Sequence, residues 1–402
     1  IIKFKKKYLI KFKISKKLEK YFNHKVLVFK YNFDIKDIPN SILLIPAISN
    51  LIQVSWFTNT NLIVPEIEKN FSISLKEIIK VVNKNYILNS KSKIITEKII
   101  KLSKLKSKQK ISREICLFSG GIDSTALLID KLKVKPKLLV ANYEPAGIHK
   151  NVIAFAQKVV GRSNVIEVKS NLYSFLNRKK LDKDFGKFTQ GTWWGGIQHG
   201  MSLLCLSAPI AWKYNINKVC ISSTHDKSFV TNWGSDPKID NKIRWINTIC
   251  SHEHFNITRF EKVKFFIKKF KRNKRNITLA VCNSYARRSS ETNCSKCGKC
   301  AQAILTLIYN NTNPNSCGFK VNDKTLSWIK ESLETRTFFA RKSDYWTWKD
   351  LKLKLRKRDK CNSVNLNHTL FEFFEKIKLD HDFYFNSNLV ITNRPGYSWM
   401  EI

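Results

Sequence analysis

From Ile111 onward the chain alternates short β-branched runs with helical stretches, and this alternation limits the fold more than anything else in its 402 residues. Residues 114–118 read as a strand and 123–133 as a helix; KLLVANY is a strand and residues 149–160 a helix. NVIEVK, a helix near residues 197–213, KVCISS, a helix near residues 258–270 and ITLAVC continue the series. A strand that returns parallel to its neighbour needs a crossover, and the helices that supply it cover the sheet. The expectation for residues 111–310 is therefore α/β, a doubly wound parallel sheet with helices on both faces and ligands beyond the carboxyl ends of its strands.

The first strand of that sheet runs into CLFSGGIDST, residues 116–125. Two glycines let the backbone turn tightly and bring its amides near an anion, and the following helix presents free N–H groups and its positive dipole end to the same place. Ser119, Ser124 and Thr125 add hydroxyl donors. No GxxxxGK[ST] pattern is present, so no lysine is placed to reach a γ-phosphate and a Walker-type NTPase is disfavoured. The plain structural alternative is a glycine turn with an aspartate capping the helix.

Of ten cysteines, six are scattered without framework spacing: Cys116, Cys205, Cys220, Cys250, Cys317 and Cys361. The others form Cys282, eleven residues, then NCSKCGKC with Cys294, Cys297 and Cys300. Two successive C-x₂-C spacings with a fourth cysteine upstream can place four thiolates tetrahedrally, the closed geometry of a structural Zn²⁺. An iron–sulfur cluster is the competing reading, because Cys₄ spacing does not separate the metals. One metal site without a disulfide framework suits a reducing, cytoplasmic compartment.

The strand–SGGIDS–helix stretch resembles the loop of the PP-loop ATP pyrophosphatases (adenine-nucleotide α-hydrolase-like), enzymes that cleave ATP between the α and β phosphates and pass AMP to an acceptor oxygen. The resemblance implies that Ser119, Gly120, Gly121, Asp123, Ser124 and Thr125 bind ATP, with Asp123 and Ser124 catalytic. Asp123 either helps hold Mg²⁺ at the phosphates or caps the helix. The order SGGIDS, central helix, strand with a polar end and C-x₁₁-C-x₂-C-x₂-C looks like the 7-cyano-7-deazaguanine synthase (QueC) family of queuosine biosynthesis. That family adenylates a deazaguanine carboxylate and converts it through an amide to a nitrile. The resemblance covers residues 112–310. Where the family has Pro-Gly-Arg-Asn, this chain has Gly195-Gly196-Ile197-Gln198-His199-Gly200. Its substrate-loop counterpart, ISSTHDKSFVTNWGSDPKIDNKIRW, offers Asp226, Asp236 and Asp240 instead of the family's acidic and SGYPDCR pattern, and His225-Asp226, at a strand's end on the ligand edge, is either part of the substrate site or a turn.

Enlarged relatives of this kind occur in bacterial antiviral defence operons, where they attach a deazaguanine group to a partner protein, and this chain looks closer to that type. The resemblance then implies an ATP-dependent, C–N bond-forming ligase using ATP, Mg²⁺ and Zn²⁺. Its substrate would be a 7-deazaguanine-type carboxylate, and its acceptor ammonia, an amine or a protein encoded nearby. Zn²⁺ at Cys282, Cys294, Cys297 and Cys300 would pin residues 283–293, with Arg287 and Arg288, over the nucleotide. A PP-loop tRNA-modifying enzyme and a non-catalytic nucleotide-binding module are the alternatives.

The flanks have no counterpart in the short synthases. Residues 1–110 read as a small α+β domain and linker: KVLVFKY, SILLIPA and LIQVSWF as β-type runs, one helix over residues 75–82 capped by Ser74, and a polar stretch from 86 to 112. Residues 311–402 form a C-terminal extension in which FFARKSDYWTWKDL sets aromatics beside Arg341 and Lys342, facing either a nucleic acid or a protein groove. With 73 basic against 31 acidic side chains, the net charge of +42 is either a grip on RNA through counterion release or lysine filling the tolerant surface of an AT-biased coding sequence. In KFFIKKFKRNKR, residues 264–275, the apolar face reads as core and the basic face as solvent-facing. His252 and His254 are a metal pair or a solvent-facing pair; Trp193 and Trp194 stack on a base or fill the core. No run approaches the roughly 18 apolar residues of a membrane span, because Asn50 and Gln53 interrupt SILLIPAISNLIQVSWF, so no membrane partner is expected. The chain starts at Ile1 rather than methionine, and its natural N-terminus is expected upstream.

Overall fold

A computed structural model describes residues 1–103, 114–143, 150–188, 192–229, 231–272, 277–282, 292–335, 337–338 and 347–353. Three strands open the chain: β1 (Ile2–Lys3), β2 (Lys7–Lys11) and β3 (Val26–Tyr31). A separate parallel pair follows, β4 (Leu62–Glu68) and β5 (Ile94–Ile100). The remaining strands are β6 (Glu114–Leu117), β7 (Lys137–Tyr143), β8 (Val165–Ser170), β9 (Lys218–Ser222), β10 (Arg244–Trp245) and β11 (Thr248–Glu253).

Nine of these strands form one sheet in the order β1-β2-β3-β8-β7-β6-β9-β11-β10. Its five central strands, β8-β7-β6-β9-β11, are parallel. The sheet is mixed rather than all parallel, because β1–β3 join antiparallel on one side and β10 on the other. Short connections join β1 to β2, β2 to β3 and β10 to β11, whereas β3 meets β8 across more than 130 residues of sequence and each parallel step needs a crossover.

Alternation along each strand divides the apolar side chains between two cores. Ile115, Leu117, Leu139, Ile166, Val219 and Ile221 face one core, with the helices Ile45–Thr58, Lys69–Asn85 and His199–Cys205. Cys116, Phe118, Leu138, Val140, Val165 and Cys220 face the other, with Ile122–Lys131, Lys150–Val160, Arg259–Arg272, Gly298–Tyr309 and Asp323–Glu334. The architecture is α/β, and the N-terminal strands share the first core.

Several local expectations give way. SILLIPA and LIQVSWF are helical, within Asn40–Leu43 and Ile45–Thr58. The longer helix is buried on every side except at Thr58, so it carries no 3.6-residue polarity signal and reads like a buried strand. Asn50 Nδ2 donates to the Pro46 carbonyl (2.7 Å), Asn50 Oδ1 accepts from Gln198 (2.8 Å) and Ser202 (2.6 Å), and Gln53 Nε2 donates to the Ser49 carbonyl (2.8 Å) while its Oε1 has no partner among the described residues. The helix placed at 75–82 spans Lys69–Asn85 and is capped by Glu68, not Ser74, which is buried and donates to the Lys242 carbonyl (2.5 Å). The single central helix is instead a π-helical turn, Trp194–Gln198, followed by His199–Cys205 and Ala208–Tyr214. ITLAVC, residues 277–282, has no regular secondary structure and adds no strand to the sheet. Arg287, Arg288, Arg341 and Lys342 lie outside the described residues. Among those described, no helix is long and apolar enough to cross a membrane.

From β6 the chain steps outward to β7 and β8, then crosses back to β9 on the other side of β6 and goes on to β11. Strand order therefore reverses between β6 and β9, which opens a crevice at the carboxyl ends of those two strands.

Candidate functional site

Residues 118–121 leave β6 at that crevice and lead into Ile122–Lys131. Gly120 turns with φ +78°, and its carbonyl accepts from Ala280 N–H (2.8 Å). A Cβ here would lie 2.7 Å from Val152 Cγ1, so both the turn and the packing call for glycine. Gly121 is the N-cap, and among the described residues no side chain caps the first helical amides. Ser119 and Ser124 hydroxyls stand 3.2 Å apart, and Ser124 Oγ also accepts from Ser119 N–H (3.3 Å). Thr125 sits beneath them, fully buried, with its Oγ1 unpartnered among the described residues.

Asp123 is in the first turn but caps nothing. Its two carboxylate oxygens face cations from Arg259–Arg272: Lys262 Nζ at 3.0 Å and Arg259 Nη2 at 3.1 Å. Burial alone would raise its pKa; Arg259 and Lys262 outweigh burial and hold the carboxyl below its usual range. The Lys262 side chain is 1 % exposed and also donates to the Ser223 carbonyl at the end of β9. Burial, assisted by the Arg259 charge, lowers its pKa, and Asp123 opposes that shift. Arg259, Lys262 and Ser223 escaped the sequence reading; what marks the two cations is their shared contact with Asp123, Lys262 being buried and Arg259 21 % exposed.

The loop after β9 places His225 beside this network. Its imidazole packs on Phe229 and Trp233 (centroids 4.9 and 5.1 Å), and Nε2 is buried without a partner among the described residues. Burial and the Arg259 charge lower its pKa to about 3, so the ring is neutral near neutral pH. Asp226 turns back onto its own loop, accepting from Ser228 N–H (2.9 Å) and the Ser228 hydroxyl. Asp236 caps Pro237–Asp240 through Lys238 N–H (2.7 Å). Asp240 is fully buried; its Oδ2 meets His252 Nδ1 (2.8 Å) and the Ser235 hydroxyl (2.6 Å). Of the four substrate-loop candidates, His225 and Asp226 stand near the Asp123 network, Asp226 close enough to act electrostatically on Lys262.

His252 and His254 do not form a pair of either expected kind. His252 is buried against Asp240, while His254 lies 3.7 Å from Asp130 and 3.3 Å from the Ser222 hydroxyl. The two tryptophans also part. Trp193 fills the core against Phe57 and Phe185, whereas Trp194 packs on Tyr143, Tyr173 and His199 (5.2, 5.1 and 5.6 Å). Arg178 lies over the Tyr173 ring at 3.2 Å. Tyr143 ends β7 and Tyr173 follows β8, so this aromatic group belongs to the same sheet edge. The glycines of the GGIQHG stretch let it pack closely: Gly200 N–H donates to the Gly234 carbonyl (2.9 Å), and Gly234 N–H to that of Gly195 (2.8 Å).

Cys282, Cys294, Cys297 and Cys300 converge, with all four sulfurs within 4.8 Å of one another. Sulfur pairs at 3.4, 3.5, 3.8 and 4.0 Å bracket the roughly 3.8 Å edge of a tetrahedron with Zn–S bonds of about 2.3 Å. The cluster can hold a metal ion such as zinc. Cys297 is the N-cap of Gly298–Tyr309, which fixes the last two ligands on a buried helix start. Asn293 clasps the rest, accepting from Val281 N–H (2.9 Å) and donating to the Leu279 and Gly318 carbonyls (both 2.8 Å). Through Ala280 and Gly120, this clasp reaches the glycine loop. The described cysteines outside the cluster are buried and free.

No protein-family model, curated protein or solved structure matches this chain.

Proposed function

We propose that the chain is an ATP-dependent adenylating ligase of the 7-cyano-7-deazaguanine synthase type, with a doubly wound, Rossmann-like core. The reading is carried by one observation: at the strand-order reversal, a glycine loop whose helix start has no side-chain cap among the described residues faces buried Lys262 and partly buried Arg259, both held by Asp123. Ser119, Gly120, Gly121 and Ser124 would cradle the phosphates through backbone N–H and hydroxyl groups. Asp123 would keep the two cations in place where charge develops on the departing pyrophosphate, a preorganised arrangement that needs no rearrangement during the reaction. Since Asp123 is fully engaged by Lys262 and Arg259, Mg²⁺ is assigned to the triphosphate itself.

In the proposed reaction a carboxylate oxygen of the deazaguanine attacks the α-phosphorus, the α–β P–O bond breaks and pyrophosphate leaves. An amine nitrogen then attacks the acyl carbon, loses a proton, and AMP departs with the C–O electron pair. The four thiolates would hold Zn²⁺, which would supply structure rather than chemistry by fixing residues 277–282 under Gly120. The acceptor is an amine on a protein, or ammonia, and the protein works in the cytoplasm.

Purified protein given ATP, Mg²⁺, carboxy-deazaguanine and an amine source should release pyrophosphate and AMP, and Lys262→Met should abolish both. Orthophosphate alone, or no product, would refute the class. Intact-mass spectrometry of co-expressed candidate acceptors, with an Asp123→Ala control, separates a protein acceptor from ammonia. The charge of +42 supports a second reading, an RNA-modifying enzyme, which predicts co-purified RNA whose binding weakens steeply with salt.

A further inference from the structure

The β4–β5 pair stands apart from the nine-stranded sheet. β4 is backed by the helices Asn40–Leu43, Ile45–Thr58 and Lys69–Asn85, whereas β5 packs chiefly on β4. Two strands alone are marginal in water, and an open edge is normally shortened, covered, bulged or broken by proline. Among the described residues β5 is neither short nor broken by proline and no further strand covers its outer edge; its charged positions are Glu97 and Lys98. It is seven residues long, IITEKII, rich in β-branched residues, and exposed at Ile95 (47 %) and Ile99 (60 %), beside Ile63 of β4 (74 %).

Its hydrogen-bonding direction follows from one contact. Leu62 N–H donates to the Lys93 carbonyl (3.0 Å), so the Lys93, Ile95, Glu97 and Ile99 backbone faces β4. Strand alternation turns the amides and carbonyls of Ile94, Thr96, Lys98 and Ile100 outward. Within the described residues only the Lys98 carbonyl has a further partner, the Thr96 hydroxyl (3.1 Å). Around this edge Lys91, Lys93, Lys98 and Lys101 outnumber Glu97.

We infer that β5 is a docking edge for a partner protein, which adds an extended segment of alternating aliphatic and acidic residues as a third strand. Main-chain bonds to the outward groups supply affinity. Ile63, Ile95 and Ile99 receive the aliphatic side chains, and the lysines select the acidic ones. This surface is independent of the adenylation reading, and either can fail alone.

The test is fluorescence anisotropy with the full chain and a labelled heptapeptide of alternating glutamate and valine. A second peptide of the same sequence carries N-methyl groups on alternate amides and cannot pair on that side. Saturable binding is expected for the first peptide, at least tenfold weaker binding for the second, and weakening with salt. Thr96→Pro removes an outward N–H without touching the bonds to β4 and should lower affinity at least tenfold. Lys98→Glu, an exposed charge reversal that leaves the melting temperature unchanged, should lower it several-fold and carries the test if Thr96→Pro does not fold. Equal affinity for both peptides, no saturable binding, or indifference to both substitutions would overturn the inference. A dimer in sedimentation that Lys98→Glu or Thr96→Pro dissolves would overturn it too, assigning the edge to a second copy of the chain.

Discussion

Replacing Gly120 with alanine tests the loop without presupposing what it binds. At φ +78° an L-residue crowds its own backbone, at a cost of about 1–2 kcal/mol. The added carbon would also stand 2.7 Å from Val152 Cγ1, 3.0 Å from Cγ2 and 3.3 Å from the Ala280 Cβ. Forcing a methyl group into such surroundings costs about 1–3 kcal/mol, so Gly120→Ala should destabilise by about 2–5 kcal/mol. Val152→Ala removes the two nearest methyl groups and alone opens a cavity, costing about 1–3 kcal/mol. In the double variant the clash is gone and only the backbone strain remains. The double variant should therefore be more stable than the sum of the singles by about 1–3 kcal/mol. Urea unfolding followed by circular dichroism reads this from the midpoints, provided the four proteins share one slope. A coupling below about 0.5 kcal/mol, or a Gly120→Ala cost below about 1 kcal/mol, would refute the packing of Gly120 against Val152.

Asp123→Asn leaves Lys262 buried and poorly paired, and should cost about 3 kcal/mol at pH 7. Because the folded pKa of Asp123 is depressed, its contribution is present above the unfolded value of about 3.9 and is lost as pH falls, so the gap between wild type and variant should close in acid. A gap that stays constant from pH 7 to pH 3 would contradict the pairing. His225 and His199, with pKa values lowered by burial to about 3 and about 4, should stay neutral when folded and destabilise the fold as pH drops below about 6.5. His199→Gln/His225→Gln should flatten stability between pH 6.5 and 4, and nitrogen-15 NMR showing either ring titrating near pH 6.5 in the folded protein would be the contrary result. Elemental analysis should find one metal ion per chain; Cys297→Ser should lose it and lower the melting temperature, because metal binding at such a site is also folding free energy. A Cys297→Ser protein with full metal content would exclude Cys297 as a ligand.

The parallel centre of the sheet was legible because β6, β7, β8 and β9 are short β-branched runs punctuated by helices with a polar face. What failed has local causes. Ile45–Thr58 is buried all round, which erases the helical period. The β10–β11 hairpin turns at Ile246 with φ +47°, where such turns usually carry glycine or asparagine, so nothing in the residues announces it. The antiparallel addition of β3 to β8 joins residues about 140 positions apart, a pairing that no local pattern encodes. The four cysteines were legible for the opposite reason: their ligand spacing is local, and only Cys282 had to be brought from upstream.

The cations of the candidate site show where composition stops helping. Among 73 basic residues, Arg259 and Lys262 open a lysine-rich helix, just before the run 264–275 whose basic face reads as solvent-facing, and nothing in the sequence singles them out. The helix period places Lys262 one position from Val263, at the margin between polar and apolar faces, and sequence alone does not decide which way such a residue turns. Packing decides it. Val263, Phe266, Ile267 and Phe270 lie in the same core as Ala126 and Ile129, which draws the two helices together and carries Lys262 into contact with Asp123 and the Ser223 carbonyl. A lysine ammonium would not remain there unless its desolvation were offset, and Asp123 together with that carbonyl provides the offset. Net charge and site are separate matters: most of the +42 can change with little effect on the crevice, whereas the charge of Lys262 cannot, because it is buried in direct contact with Asp123.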